Sequence, residues 1–567
     1  MKAQSTRRAD PEVLLVVQLA AFVSILSFLF YLRKGDVLPY GDAVAHINIA
    51  RRVFDSRTPG LLQLGTVWLP LPHLLMIPFL VSDWAWQTGV GGSIPSLVAH
   101  VFSVLGIFRL VRGALAAGSE PSAAMRITAW GAAIIFAANP NLIYLQATAM
   151  TEPLYLALFI WAVVHFSEFL HKAQVETREA CRSLLKSGFC LAGACLTRYD
   201  GWFLAAAIGA AALVVVARNG NSPGLRAAFA KFVLISAAAP IFWLAYNAAV
   251  YRNPLEFVNG PYSAKAIEEK TSIPGFPPHP GSHNLPVAAA YFLKAAELNM
   301  LESNWHRLWL WLALAGTALA VFPIAGWFTK ETMLGRPDRL MNNAPSWCLW
   351  PSLLLWTPLP FYMLSIAYSG VPLFVPPWWP FSIYNARYGV QLLPVFAVFI
   401  PLSGYFLARH VPSRYRPAVP LGILALTITS YGLVWHKQPV SYREAWINSR
   451  TRIALEHQLA STMKALPSNA TFLMYLGDHV GALQDAGIPL RRVINEGNHR
   501  PWKQPVDPEG LWELSLANPE RYADYVIAID KDAISQQVQK QGLTALQVIH
   551  VTGQPVATIY STHARQR

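Results

Sequence analysis

The chain has 567 residues, 54% of them hydrophobic and only 13% charged, with 45 Lys and Arg against 31 Asp and Glu for a formal net charge of +14. Soluble domains carry roughly 25% charged residues. A positive mean hydropathy of +0.33 and repeated apolar runs of bilayer length therefore exclude a soluble globule and indicate a polytopic α-helical membrane protein. No Lys/Arg block of the nucleic-acid-binding kind occurs, so the cation excess reads as basic cytoplasmic loops and no nucleic-acid partner is expected.

In chain order, Arg7 and Arg8 precede an apolar run at 13–32 that lacks a small-residue cleavage site and reads as an uncleaved anchor. Further spans are expected at 95–113, 126–145, 153–170, 184–197, 202–217, 228–250, 305–328, 348–368, 390–408 and 417–436, about eleven in all. With the N-terminus cytoplasmic, every cytoplasmic loop is basic. The loops hold Arg109/Arg112/Arg126, Lys172/Arg178/Arg182/Lys186, Arg218/Arg226/Lys231, Lys330/Arg336/Arg339 and Arg409/Arg414/Arg416. A full span at 67–82 would invert all later loops, so that stretch is expected to be interfacial or re-entrant. The four cysteines (Cys181, Cys190, Cys195 and Cys348) lie in or beside predicted spans and imply no disulfide framework.

The outer face then receives the first loop, 33–94, with juxtamembrane helices, a short turn at Glu152, a Pro/Gly-rich loop at 251–304 and the tail, 437–567. The tail is more polar. Strands are expected at 471–476, 525–530, 547–551 and 556–560, and helices at 443–465, 478–486, 508–517 and 532–541. That alternation predicts a small extracytoplasmic α/β domain following a membrane domain of residues 1–436.

Candidate chemistry gathers at the outer ends of spans. Asp42 opens an amphipathic helix running from Ala43 to about Phe54 and shares a face with His46. It fits an N-cap, and equally an ionised carboxylate placed to orient or deprotonate an acceptor. Thr151-Glu152-Pro153 opens the fourth span, with Thr151 as cap and Glu152 as a second acid. Arg198-Tyr199-Asp200 reads either as a local ion pair with interfacial aromatics or as an anion site. Arg387-Tyr388 precedes the tenth span, and an outer-face arginine suits bidentate phosphate binding. His73, in Trp68-Leu69-Pro70-Leu71-Pro72-His73, is either part of an anchor or a phosphate contact. Asp478, His479, Glu496 and His499 match no standard metal spacing and read as structural. No Walker loop or dinucleotide fingerprint appears, so neither ATP nor NAD is expected.

The order of these features resembles the GT-C superfamily of integral-membrane glycosyltransferases. It runs from one span through Gly41-Asp42 in a large outer loop, Thr151-Glu152-Pro153, and Arg387-Tyr388 before a late span to an outer tail. The branch it resembles is the bacterial polyprenyl-phosphate-sugar transferases related to protein O-mannosyltransferases and lipid A aminoarabinose transferases. That resemblance implies a hexosyl- or pentosyltransferase of the cell envelope in the bacterial inner membrane. Asp42 would be the main catalytic group and Glu152 a second acid. Arg387, with Tyr388, would bind the lipid phosphate, and the mechanism would be inverting. The expected partners are a polyprenyl-phosphate sugar donor, membrane lipids, and a protein, lipid or glycan acceptor. No cofactor is implied, and a loosely held divalent cation remains compatible. The pattern departs in two places. Leu71-Pro72-His73 stands where some members carry Lys-Pro-Pro, and Trp378-Trp379 is followed by Pro380 instead of Asp, which argues against whole-oligosaccharide transfer to asparagine. The rival readings are a transporter or flippase of lipid-linked sugars, which would need charge near mid-span, and a non-catalytic scaffold.

Overall fold

In a bilayer every backbone N–H and C=O must be satisfied within its own segment, so apolar runs of this length become helices. The computed structural model describes residues 10–116, 122–173, 177–218, 222–272, 275–325, 349–477, 479–500, 507–538 and 541–562. Arg7, Arg8, Lys330, Arg336, Arg339, Cys348 and Asp478 lie outside the described residues. Among the described residues, seven helical runs are long and apolar enough to cross a membrane: 11–34, 90–115, 152–172, 200–218, 223–251, 386–408 and 413–464. The remaining predicted spans also hold helices, namely Ala123–Ala137 with Pro140–Gln146, Thr177–Cys195, Arg307–Ala325, and Trp350–Trp356 followed by Pro358–Tyr368.

Two expectations change. The span at 126–145 is broken, its halves meeting at 58°. Pro140 supplies no N–H, and the Asn139 carboxamide caps the second half by accepting from Asn141 N and Leu142 N at 3.1 Å each. The loop at 251–304 contains helices at Glu256–Asn259 and Ala264–Thr271 and a 16-residue helix at Leu285–Met300. The last is capped by Asn284, starts with Pro286 and buries Tyr291, Phe292 and Leu298. The 67–82 stretch holds only the six-residue α-helix Leu71–Met76 and the 3-10 turn Ile77–Phe79.

The first helix exposes Leu19, Phe22, Ile25 and Leu26, an apolar face suited to lipid. The 386–408 run is almost wholly enclosed by the other helices, so the bundle wraps the segment that carries Arg387. Gly389 allows the Leu285–Met300 helix to lie against this segment, since a Cβ there would collide with the backbone of Ala295 and Ala296.

A long helix, Val440–Lys464, leads into the tail. The tail sheet has five strands in the order β2-β1-β3-β5-β4: β1 Phe472–Met474, β2 Val493–Ile494, β3 Tyr525–Ile529, β4 Thr544–Ile549 and β5 Ala557–Ser561. The strands β2, β1 and β3 run parallel, and β5 pairs antiparallel with both β3 and β4. The two-residue β2 is too short to show a period in the sequence.

The tail is fastened to the first loop by buried polar contacts. Asn48 Nδ2 donates to Gln484 Oε1 at 2.7 Å, and Gln484 Nε2 donates to the Trp86 carbonyl at 2.7 Å. Asp55 accepts from Arg51 Nε at 2.9 Å and from the backbone of Leu490 and Arg491 at 3.3 and 3.2 Å. Gln63 Nε2 donates to the Gly497 carbonyl at 2.8 Å.

Candidate active site

The chain leaves the first helix and turns at Tyr40, whose extended backbone (φ −65°, ψ 122°) starts the Gly41–Arg52 helix. Asp42 is therefore inside the first turn and does not cap it: Tyr40 holds the cap position, and no side chain bonds the free N–H groups. The capping expectation is corrected by this one-residue shift, which releases the Asp42 carboxylate to reach sideways. Its Oδ2 accepts from Arg387 Nη2 at 2.5 Å, and among the described residues that is its single hydrogen bond. The Asp42 side chain is 41% exposed, against 7% for Arg387.

Arg387 sits in the 3-10 helix Ala386–Leu392, entered through Asn385 in the left-handed region (φ 56°) and anchored by Asn385 Nδ2 donating to the Pro372 carbonyl at 2.8 Å. Its guanidinium lies between the rings of Tyr40 and Tyr388, each 5.0 Å away. Nη1 donates to Glu444 Oε1 at 2.6 Å, the backbone N–H donates to Glu444 Oε2 at 3.1 Å, and Nε is 3.4 Å from Glu152 Oε1. Glu152, the first residue of its span and fully buried, also meets Arg198 Nη1 at 3.3 Å, while its Oε2 has no hydrogen-bond partner among the described residues. Arg198 donates from Nη1 to Thr151 Oγ1 at 3.0 Å and from Nη2 to the Tyr362 hydroxyl at 2.8 Å, and its Nε is 3.6 Å from Asp200 Oδ2. Thr151 thus occupies the cap position but gives its hydroxyl to Arg198. The Tyr388 ring faces both guanidiniums.

Asp42, Glu152, Arg198, Asp200, Arg387 and Tyr388, separated widely in sequence, thus converge on one network. Four carboxylates share two guanidiniums. The fourth acid, Glu444 on the Val440–Lys464 helix, was not among the candidates. No sequence signal marks it: Ser441, Glu444, Arg452 and Glu456 prove buried only in the structure.

Two histidines lie beneath. His46 Nδ1 and His73 Nε2 are 2.9 Å apart, so one ring donates and the other accepts. Burial, then the Arg198 and Arg387 charges, lowers the His46 pKa to about 3, and burial pushes His73 well below the usual imidazole range. Both rings are neutral at physiological pH, and neither makes a direct hydrogen bond to the arginines. Tyr199 turns away. Its hydroxyl donates to the Val67 carbonyl at 2.9 Å, accepts from Trp243 Nε1 at 3.2 Å, and its ring stacks on Phe257.

A pocket of about 90 Å³ opens onto Asp42 and Arg387, walled by Tyr40, Tyr384, Asn385, Glu444, Asn448 and Ser449 among others. Four of its eleven lining residues, Glu444, Ala445, Asn448 and Ser449, belong to the Val440–Lys464 helix. Among the described residues no three His, Cys, Asp or Glu side chains are grouped to hold a metal ion.

No protein-family model matches the chain, and no curated sequence does. Among solved structures the chain is similar to ArnT from Cupriavidus metallidurans bound to undecaprenyl phosphate, at 12% identity, 98% of this chain and 99% of that one, with a TM-score of 0.49. It is also similar to the oligosaccharyltransferase of Archaeoglobus fulgidus in complex with Zn and sulfate (12% identity, 91% of this chain and 68% of that one, TM-score 0.46). A third likeness is to arabinofuranosyltransferase AftD from Mycobacteria (15% identity, 97% of this chain and 40% of that one, TM-score 0.41).

Proposed function

We propose that this chain is a GT-C-type membrane glycosyltransferase. It would move a hexosyl or pentosyl group from a polyprenyl-phosphate donor to an acceptor at the extracytoplasmic face of the bacterial inner membrane. The observation that carries this reading is the Asp42 carboxylate. It stands half-exposed at a pocket mouth, held by a guanidinium whose other contacts are the buried carboxylates Glu444 and Glu152. A carboxylate presented this way can take a proton. The acceptor O–H or N–H meets Asp42, its heteroatom bonds to the anomeric carbon, and the bond from that carbon to the phosphate oxygen breaks. The proton goes to Asp42, and polyprenyl phosphate leaves with the bonding pair. Back-side attack of this kind inverts the anomeric centre. Arg387 suits the donor phosphate, and Glu152 fixes both arginines.

The pocket of about 90 Å³ lies against the Asp42 carboxylate, where the hydroxyl or amine of an acceptor would have to arrive. A transporter would concentrate its polar groups near the middle of its spans. Here Glu152 and Asp200 are the first residues of their helices and Arg387 is the second residue of the 386–408 run, and charge gathered at helix starts supports surface chemistry over translocation.

The test is sugar transfer by detergent-purified wild type and Asp42→Asn, with a panel of undecaprenyl-phosphate sugars and a membrane-extract acceptor pool. Transfer by wild type that is lost in the variant is expected. Absence of transfer from every donor, with both proteins folded, overturns the reading.

A further inference from the structure

We propose that Glu444 is the positioning residue of this site, and that Arg387 Nη2 is handed from Asp42 to an incoming phosphate while Glu444 holds the rest of the guanidinium still. The inference rests on the reading of Arg387 as the donor-phosphate contact. It concerns the order of events there and a residue from the tail.

The contacts of Arg387 divide by solvent access. Glu444 takes the Nη1 edge and the backbone N–H of the same residue, so it fixes both the side chain and the turn that bears it. The Glu444 carboxylate is buried, as is Glu152 beside Nε. Asp42 and Glu444 both line the pocket, but only the Nη2–Asp42 pair has a partner open to water: the Asp42 side chain is 41% exposed and that of Glu444 1%. An ion pair in contact with water exchanges partners at low cost, whereas a buried one cannot lose a partner without stranding a charge. An anion entering the pocket therefore competes with Asp42 for Nη2 and leaves the Glu444 contacts intact. Phosphate oxygens match the guanidinium edge as well as a carboxylate does. Once displaced, the Asp42 carboxylate is free to accept a hydrogen bond from the O–H or N–H of the acceptor. Donor binding would thus prepare the base, and without donor the carboxylate stays occupied.

The handover predicts opposite signs for two substitutions. Asp42→Asn keeps the shape and removes the competing charge, so undecaprenyl phosphate should bind more tightly even as transfer is lost. Glu444→Gln loosens the held edge, so the same ligand should bind more weakly. Each change is expected to be about fivefold or more, the lower end of ordinary coupling between sites. Binding is measured on the full-length protein in detergent with undecaprenyl phosphate, and with inorganic phosphate alongside. The same pair of signs with inorganic phosphate assigns recognition to the phosphate group. The pair seen only with the lipid supports the handover with the lipid supplying the affinity. If Glu444→Gln does not fold, Glu444→Asp, which keeps the charge but shortens the reach, carries the same expectation. General damage to the site would weaken binding in both variants, and that outcome overturns the handover, as does unchanged binding in either. Variants that shift undecaprenyl phosphate binding with the expected signs, beside a wild type that transfers no sugar, overturn the proposed function and leave the handover standing.

Discussion

Where the first helix begins, Arg112 pairs with Asp10 at 2.5 Å, Arg126 with Glu12 at 2.5 Å and Arg109 with Glu168 at 2.6 Å. Where it ends, Arg387 pairs with Asp42 at 2.5 Å and with Glu444 at 2.6 Å. The distances are the same, and the surroundings are not. Every group in the first set is at least a fifth exposed, while Glu152, Asp200 and Glu444 are sealed from solvent. Water screens the first set, so it adds little to stability. Dry pairs of the second kind recover their desolvation only when every partner is present. A cluster of four acids around two arginines is therefore poor material for stability, which turns attention to what it does for chemistry.

The contrast can be broken by deleting one cation at each end. Arg387→Ala should cost about 3–5 kcal/mol of stability by stranding Glu444 and Glu152, and should abolish transfer. Thermal unfolding of the detergent-solubilised protein checks the first part, and a loss under 1 kcal/mol would show the network to be wet. Asp42→Asn should lower transfer about 100-fold or more while the unfolding temperature stays put, because Asp42 neither caps its helix nor is sealed in. An equal loss of stability and rate would assign Asp42 to the scaffold.

A third expectation concerns pH. His46 has its folded pKa near 3 against an ordinary 6.5, so the unfolded state binds the extra proton between those values. Stability is complete above pH 6.5 and falls as pH drops toward 3, by about 1.4 kcal/mol per unit from this group. His46→Gln should flatten that acid limb in unfolding measured from pH 7 to pH 5. An unaltered slope would mean His46 is already charged or already wet. The smallest effect is expected from Arg126→Ala, whose side chain is 61% exposed: about 0.5 kcal/mol or less, shrinking further in high salt.

The helices were legible because lipid leaves an apolar run no other conformation, and Asp42, Glu152 and Arg387 were legible because charge at a span end is rare enough to stand out. Glu444 was hidden for the opposite reason. It lies in a polar helix after the last span, among Arg443, Arg450, Arg452 and Glu456, where one more acid attracts no notice. Its partner is a turn 57 residues earlier, and no local pattern encodes that pairing. The Leu285–Met300 helix carries its own signals in Asn284, Pro286 and an Ala/Leu-rich run, but the Pro/Gly-rich stretch just before it made the whole region read as loop. The broken span followed from Asn139-Pro140, a cap and a first-turn proline that a hydropathy window averages away.

The fastening of Gln484 and Arg491 to the first loop, with Glu444 on Arg387 and Arg387 on Asp42, also sets a schedule for biosynthesis. Asp42 leaves the ribosome well before its guanidinium partner, which follows 345 residues later, and Glu444 comes later still. Insertion proceeds span by span, so through most of translation the carboxylate has no cation beside it and no pocket above it. Premature termination anywhere before the tail helix should therefore yield protein that inserts but has no assembled centre. Contacts of such long range also close slowly. The last folding event of this protein is therefore expected to be the docking of its tail, and that is the same event that completes its chemistry.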